Sequence, residues 1–439
     1  MSMIRRRLGF ALALCAWAWP AQAIDVAAAD GRIDQALDQI YPDLFRLYSD
    51  IHAHPELSSQ ETRTAALLAK QMRELGFTVT EKVGGTGVVA VLRNGSGPTV
   101  LVRTELDALP MEEKTGLPYA SRVQVNYNGQ PTFVAHSCGH DIHMASWIGT
   151  ARTLVAMRDS WHGTLVFIAQ PAEETLAGAD AMLGDGLFER FPKPDYGFAL
   201  HTGPYAAGQV FYRPGTLSSN SDTIAITFKG RGGHGASPHT AIDPVLIASR
   251  FIVDVQSVVS RDKNPQQPGV VTFGSIHGGT AGNIIPDEVT VRGTIRTYDD
   301  EARAKLRAGV ERVALASSAM AGAPSPEIAW QGATDSVVND PELTERTAAV
   351  FREAFGSAAS AKSEYVTASE DYSRYAKAGI PRSMFFEIGV YDPSQVEAAS
   401  NGGPPLPSNH SPFYAPVPEP TIRTGVKAMS LAVLNVLGS

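Results

Sequence analysis

The 439-residue chain contains only 2 cysteines and little that would place it in a membrane or on a nucleic acid. Beyond its N-terminal segment, no apolar run approaches the roughly 20 residues that a membrane-spanning helix needs, so stable membrane insertion is not expected. Acidic side chains outnumber basic ones, 45 against 37, and the formal net charge of −8 gives no reason to expect nucleic-acid binding. A hydrophobic content of 44% and a charged content of 19% are typical of a folded globular protein.

The first 23 residues have the layout of an export signal. Three arginines, Arg5 to Arg7, precede an apolar run from Leu8 to Trp19, and the small-residue pattern Ala21-Gln22-Ala23 follows. The apolar run is too short for a membrane anchor. We therefore expect residues 1–23 to be a signal peptide that is removed, and the protein to be exported to the periplasm or secreted, by the general or the twin-arginine route.

Removal of this segment would leave Cys138 as the only cysteine, so that no intramolecular disulfide could form. A lone thiol in an exported protein requires burial, pairing between chains or chemistry. Cys138 lies in HSCGHDIH, residues 136–143, where a single glycine separates it from His140, so that a thiolate and an imidazole could face one metal ion. The spacing matches no common zinc-finger pattern. His136 and His143 could therefore be ligands, supporting groups or surface residues.

Strands and helices alternate in the first 217 residues. Helices are expected at 30–53, 58–76 and 139–158, and β-rich runs at 77–83, 87–92, 99–106 and 164–170. The second helix should begin at Ser58 or Ser59, with Glu61 completing an N-terminal cap. This alternation predicts an α/β domain with a largely parallel sheet.

The middle of the chain has a different pattern. Residues 218–331 contain elements in the order β-α-β-β-α-β, which is the ferredoxin-like unit. Helices and short strands return afterwards. The sequence therefore predicts one domain built from residues 24–217 and 332–439, with residues 218–331 inserted into it.

Further metal-type side chains follow predicted strands or lie in loops. Glu173 and Glu174 come directly after the buried strand TLVFIAQ, and adjacent side chains point in different directions. One of them could bind a metal while the other accepts a proton from water. His201 follows another apolar run, and His410 lies in a proline-rich loop; either alone would more often be structural.

One more strand ends with acidic residues. Glu105 and Asp107 lie on the same face at the end of VLVRTEL and could orient a ligand histidine.

Eight motifs in one order carry a resemblance to a known family. They are TELDALPMEEKTGLPYAS, HSCGHDIHMA, QPAEE, ALHTGP, KGRGGHGASPH, HGGTAGNIIP, ASEDYSRY and NHSPFY. Together they resemble the amidohydrolase branch of the aminoacylase/glutamate-carboxypeptidase metallopeptidase superfamily, which includes hippurate hydrolases, N-acyl-amino-acid amidohydrolases and indole-3-acetyl-amino-acid hydrolases. The resemblance extends over about residues 45–435. It implies a metallopeptidase-type α/β/α catalytic domain in which residues 218–331 form a lid and dimerisation domain, here called the lid.

The resemblance also implies a binuclear metal site. Its two divalent ions would be bound by a thiolate, three imidazoles and a carboxylate, namely Cys138, His140, Glu174, His201 and His410. Glu173 would be the general base, and Asp107 would support the metal ligands. Thiolate and imidazole ligands suit zinc, cobalt or nickel, and the carboxylates leave manganese open.

Three further positions would contact the substrate. They are His234 and Asn283 in the lid, partly across a homodimer or higher homo-oligomer interface, and Arg296, which could hold a substrate carboxylate. The chain departs from the branch at Glu105, where an aspartate is usual, and the role of this acid is left open. Ser137 and Tyr372 also differ from the usual residues, without affecting the chemistry.

The implied reaction is hydrolysis of the amide bond of a small N-acyl-amino acid or a short peptide by metal-activated water. A di- or carboxypeptidase of the same superfamily is an alternative, although the cysteine motif argues against it. An exported binding protein with an inactive site is another. A third treats Cys138 as a nucleophile paired with His140.

Overall fold

A computed structural model describes residues 24–438, so the predicted signal peptide lies outside it. The strands are β1 Thr78–Val83, β2 Gly87–Asn94, β3 Thr99–Glu105, β4 Gln124–Tyr127, β5 Gln130–Phe133, β6 Gly163–Gln170, β7 Tyr196–Ala206, β8 Val210–Tyr212, β9 Gly215–Thr216, β10 Ser221–Lys229, β11 Gly233–His234, β12 Gly269–His277, β13 Ile284–Ile285, β14 Glu288–Thr297, β15 Glu327–Thr334, β16 Val338–Asn339, β17 Ala359–Ala361 and β18 Arg382–Tyr391. The α-helices are α1 Val26–Ala53, α2 Thr62–Glu74, α3 His140–Ala156, α4 Gly178–Gly184, α5 Leu187–Arg190, α6 Pro244–Asp254, α7 Asp300–Met320, α8 Pro341–Phe355, α9 Ser373–Lys377, α10 Pro393–Ser400 and α11 Pro418–Leu437. In this range no helix combines the length and the apolar character needed to cross a bilayer.

Eight strands form the central sheet, in the order β1-β2-β6-β3-β7-β18-β8-β17. The four inner strands β6, β3, β7 and β18 are parallel to one another, as predicted. The prediction of a largely parallel sheet is nevertheless too simple, because β1, β2 and β6 pair antiparallel, as do β18 and β8. A short turn joins β1 to β2, and such a connection allows only antiparallel pairing. The sheet is therefore mixed.

The sheet is buried on both faces, which gives three layers. Along β6 the residues alternate between two cores: Leu165 and Phe167 face the helices α1, α3 and α11, whereas Val166 and Ile168 face α4 and α9. A strand with apolar residues on both sides reads as a continuous apolar run, and this is why GTLVFIAQ contains no polar residue at its centre.

A separate four-stranded antiparallel sheet has the order β12-β14-β10-β15. If the four strands are numbered by their order along the chain, their order across the sheet is 2-3-1-4, which is the ferredoxin-like arrangement. Its apolar face packs on α6 and α7 and encloses a core of its own, which includes Ile226, Phe228, Phe251 and Leu306.

The start of α2 differs from the prediction. Ser59 has a left-handed backbone, with φ of 66°, and cannot begin a right-handed helix. The N-cap residue is Glu61, and its side chain does not cap the helix. Instead, the carboxylate of Glu56 accepts hydrogen bonds from the backbone N–H groups of Arg63 and Thr64, at 3.0 and 2.8 Å. A carboxylate from outside the helix therefore replaces the predicted serine cap.

Candidate metal centre

The predicted site residues meet at one edge of the central sheet. Because β3, β6 and β7 run parallel, their carboxyl ends lie side by side. Asp107 follows β3, and Glu173 and Glu174 follow β6. His201 lies within β7, which continues to Ala206, and not after the end of the strand as the sequence suggested.

Cys138 and His140 come from the turn that begins α3. The turn depends on Gly139, whose φ of 89° is left-handed, and a Cβ at this position would lie 2.3 Å from Oγ1 of Thr202. Only glycine therefore allows the turn to pack against β7. Thr202 in turn donates its hydroxyl to the carbonyl of Cys138, at 3.0 Å. The thiol and the imidazole are thus fixed beside His201.

All five predicted ligands converge. The donor atoms of Cys138, His140 and His201 lie within 4.8 Å of one another, and so do those of Cys138, Glu174 and His410. Individual distances are 3.5 Å from Sγ of Cys138 to Nε2 of His201 and 3.3 Å from Nε2 of His410 to Oε2 of Glu174. The two groups share Sγ of Cys138.

Hydrogen bonds fix which nitrogen of each buried histidine is free. Nδ1 of His140 donates to the backbone carbonyl of Asp107, and Nδ1 of His201 donates to that of Thr202, each at 2.8 Å. In both rings Nε2 is therefore the nitrogen that faces the cluster and would bind a cation, which is the arrangement of metal-ligating histidines.

The cluster contains buried polar atoms that divalent cations could satisfy. Within residues 24–438, Nε2 of His140 and Oε1 of Glu174 are buried and have no hydrogen-bond partner. Buried polar atoms without partners are rare in folded proteins, and a cation would satisfy both. Burial and the carboxylates of Glu174 and Glu173 raise the pKa of the Cys138 thiol, whereas a bound cation would stabilise its thiolate. The donor set of sulfur, imidazole and carboxylate suits the transition metals that the sequence predicts.

Asp107 lies between two of the predicted ligands. Its side chain accepts hydrogen bonds from the hydroxyl of Ser58, at 2.7 Å, and from the backbone N–H of Glu174, at 2.9 Å. Although burial favours the neutral acid, the contacts with His140 and Ser58 lower the pKa of Asp107. The ionised carboxylate therefore connects two of the predicted ligands, His140 and Glu174.

Glu173 is buried beside the ligands but belongs to neither of the two groups that contain Cys138. Its Oε2 lies 3.7 Å from Nε2 of His140. The loop that carries it is strained, because Ala172 and Leu176 both have left-handed backbones, with φ of 52° and 54°. Burial and the nearby Glu370 carboxylate raise the pKa of Glu173 well above its ordinary value. Glu173 is thus a buried carboxyl group held next to the cluster.

Glu105 and His143, whose roles the sequence left open, form a buried pair behind the ligands. Nδ1 of His143 lies 2.9 Å from Oε2 of Glu105, and its Nε2 accepts a hydrogen bond from the backbone N–H of Thr202, at 2.9 Å. Both ring nitrogens are therefore engaged, so His143 supports the strand that carries His201.

His136 is also buried, and burial lowers its pKa to about 4.

Sequence reasoning missed a buried ion-pair network behind Glu173. Arg103 has no exposed side-chain surface and pairs with Glu105, Glu370 and Asp371, at 2.7 Å for Glu370 and 3.2 Å for Asp371. Gln170 bridges Arg103 and Asp371. The motif ASEDYSRY contains both Glu370 and Asp371, and its two adjacent acids were the available signal.

A cavity of about 810 Å³ opens beside the ligands. Arg296 of the lid lines it and donates to the hydroxyl of Ser369. Among the described residues Arg296 forms no ion pair, and burial lowers its pKa. His234 and Asn283 lie elsewhere on the lid, on exposed β11 and just before β13, and do not line the cavity of their own chain.

Comparison with known proteins shows the family of this chain. The model of "Peptidase family M20/M25/M40" matches residues 101–433. A hippurate hydrolase from Campylobacter jejuni is 42% identical over 260 residues, which span 59% of this chain and 65% of the relative, slightly under two thirds of its length. Thermostable carboxypeptidase 1 from Saccharolobus solfataricus is 34% identical over 348 residues, or 78% of this chain and 85% of the relative.

A solved structure agrees with the fold. The YXEP protein of Bacillus subtilis, described as a dinuclear metal binding peptidase from the M20 family, aligns with a TM-score of 0.73 and 28% identity over 91% of this chain and 100% of its own. The predicted fold class and the resemblance stated from the motifs are both confirmed. The chain belongs to peptidase family M20/M25/M40, as a metal-dependent amidohydrolase or peptidase.

Proposed function

We propose that this protein is an exported amidohydrolase that cleaves the amide bond of N-acyl-amino acids, hippurate-like conjugates among them. The convergence of five metal-type side chains beside the buried Glu173 carries this proposal. The similarity to a hippurate hydrolase supports the substrate class. The N-terminal signal pattern supports export to the periplasm or the medium.

The proposed site would hold two divalent cations of zinc, manganese, cobalt or nickel. One group of ligands is Cys138, His140 and His201; the other is Cys138, Glu174 and His410. When bound, such cations would act as Lewis acids and lower the pKa of water.

The residues of the chain would perform the proton transfers and the positioning. Glu173 would accept a proton from the attacking water and return it to the nitrogen of the leaving amine. Arg296, which has no carboxylate partner among the described residues, would bind the carboxylate of the amino acid as the substrate fills the cavity.

The lid would complete the site in a homodimer. His234 and Asn283 are exposed and do not line the cavity of their own chain, so they would act on the substrate of a second subunit. His234 would then donate to the oxyanion that forms as water adds to the amide carbonyl.

A di- or carboxypeptidase remains the second candidate, because a thermostable carboxypeptidase is also a relative. The test is turnover by metal-reconstituted protein on a panel of N-acyl-amino acids and dipeptides, with and without a chelator. We expect chelator-sensitive hydrolysis of N-acyl-amino acids. Hydrolysis of dipeptides alone would favour the peptidase, and metal binding with no turnover on any amide would favour an inactive binding protein. Chelator-resistant turnover would favour Cys138 as a nucleophile.

A further inference from the structure

The substrate cavity continues away from the proposed metal ligands along the sheet. In the strand register His201 of β7 lies opposite Glu387 of β18, and Glu387 lies opposite Phe211 of β8. Directly paired residues project from the same face of a sheet, and neighbouring strands are about 4.8 Å apart. Glu387 therefore lies one strand away from a proposed ligand and Phe211 two strands away, and both line the cavity.

An ion pair occupies this part of the cavity. Nζ of Lys362 pairs with Oε2 of Glu387 and donates to the hydroxyl of Tyr205, at 2.6 Å. The two charged side chains are only 11% and 8% exposed. An ammonium group has three N–H donors, so one remains for a ligand. Oε1 of Glu387 accepts no hydrogen bond from the described chain, and a donor and an acceptor therefore remain side by side.

Two aromatic rings form the adjacent wall. The ring centroids of Tyr205 and Phe211 are 4.5 Å apart, and Nζ of Lys362 lies 4.8 Å from the centroid of Tyr205. A Cβ at Gly203 would lie 2.4 Å from Cε2 of Tyr205, so the glycine allows the ring to fold back over its own strand. The Tyr205 ring is thus held in the cavity wall by its packing.

We propose that Tyr205, Phe211, Lys362 and Glu387 form a specificity subsite for a planar aromatic group that carries a neutral hydrogen-bonding substituent, such as a phenolic hydroxyl. The proposal rests on the proposed function. Aromatic walls favour planar groups. The ion pair has no net charge, so a charged substituent would leave an uncompensated charge in a largely buried place. A hydroxyl instead accepts from Lys362 and donates to Glu387.

The aromatic ring could belong to the acyl group or to the amino acid, and matched substrate pairs distinguish the two. One pair is 4-hydroxybenzoyl-glycine and benzoyl-glycine; the other is N-acetyl-tyrosine and N-acetyl-phenylalanine. For the wild-type protein we expect kcat/KM to favour the hydroxylated member of one pair by about tenfold or more, as for a hydrogen bond to a charged group.

The variant that tests the subsite is Lys362→Met with Glu387→Leu, because removing both charges leaves neither one buried alone. Its preference for the hydroxylated substrate should fall to within about twofold. The matched control removes an exposed ion pair on the lid, Lys229→Met with Glu288→Leu, and should keep the preference. Equal kcat/KM within both pairs for the wild type, or an unchanged preference in the subsite variant, would overturn the proposal.

Binding of the products provides a readout that needs no turnover and no variant. Calorimetry on the wild-type protein should show tighter binding of 4-hydroxybenzoate than of benzoate, or of tyrosine than of phenylalanine. If no substrate is hydrolysed but this difference is present, the proposed function fails and the subsite stands. If the affinities are equal within both pairs, the subsite is wrong whatever the activity.

Discussion

Nδ1 of His143 lies 2.9 Å from Oε2 of Glu105, deep behind the proposed metal ligands. The contact accounts for an acid whose role the sequence left open. Glu105 also pairs with Arg103, so it joins the buried cation of β3 to the histidine that supports Thr202. The additional methylene of glutamate, compared with the usual aspartate, extends its carboxylate towards both partners.

Replacement of Glu105 by leucine should destabilise the fold. His143 would lose its acceptor and Arg103 one of its three carboxylates, and a buried polar group left without a partner costs about 1–3 kcal/mol. Urea denaturation measures this loss. The control is Glu74→Leu, an exposed position on α2, which should change the free energy of unfolding by less than about 0.5 kcal/mol. Equal losses in the two variants would show that the buried pair has no structural importance.

Replacement of Glu173 by glutamine should remove turnover without unfolding the protein. The amide keeps the size of the side chain but cannot accept the proton of water, and general-base catalysis contributes about 10²- to 10⁴-fold. We therefore expect kcat to fall by that factor, with little change in KM. Glu364→Gln is the matched control, because Glu364 lines the same cavity, is exposed and belongs to none of the candidate metal-binding groups among the described residues, so it should retain activity. Wild-type turnover by Glu173→Gln would rule out its assignment as the base.

Cys138 should bind metal through its sulfur. Protein reconstituted with cobalt should show the absorption of a thiolate-to-cobalt charge transfer, because metal-bound cysteine is a thiolate. Cys138→Ser should abolish that band and weaken cobalt binding. A band of equal intensity in the variant would contradict the assignment, since Cys138 is the only cysteine in residues 24–438.

The stability of the protein should decrease from neutral to alkaline pH because of His52. Burial alone would lower its pKa, but hydrogen bonds with Asp141 and Glu113 raise the pKa of His52 to about 10, from an ordinary value of 6.5. Tyr48 and Tyr119 are the other ionisable groups packed against the ring. Between pH 6.5 and pH 10, His52 holds its proton in the folded chain but loses it in the unfolded chain. The contribution of this proton to the free energy of unfolding is therefore complete below pH 6.5 and is lost as the pH rises through 10.

His52→Gln measures this contribution. We expect the free energy of unfolding of the wild type to fall by about 1.5–3 kcal/mol more than that of the variant between pH 6.5 and 10, the range for hydrogen bonds to a charged group. His54→Gln, at an exposed position just after α1, should leave the pH dependence unchanged. Parallel pH profiles for the wild type and His52→Gln would contradict the raised pKa.

Much of the site was predictable because its residues follow strands. Asp107, Glu173 and Glu174 come directly after parallel strands, whose carboxyl ends meet at one edge of a sheet. The motifs also predicted the fold class and the family, and both are confirmed. The domain boundaries and the roles of individual residues stay predictions.

The buried charges were not predictable, because their partners are distant in sequence. Arg103 pairs with Glu370, 267 residues away, and Lys362, which directly follows β17, pairs with Glu387 of β18. Such contacts depend on the register of short strands such as β8 and β17, which have 3 residues each and no periodicity to reveal them. The prediction of where α2 begins was wrong for a similar reason, because Glu56 caps the helix from outside it.

The central claim is that two cations bind where Cys138, His140, Glu174, His201 and His410 meet. The most direct test is the metal content of purified protein after removal and restoration of divalent metal, measured by elemental analysis. We predict two ions per chain in the wild type and in Glu173→Gln, and fewer than two in Glu174→Gln. A wild type that binds no divalent metal, or a Glu174→Gln variant that binds as much as the wild type, would contradict the account.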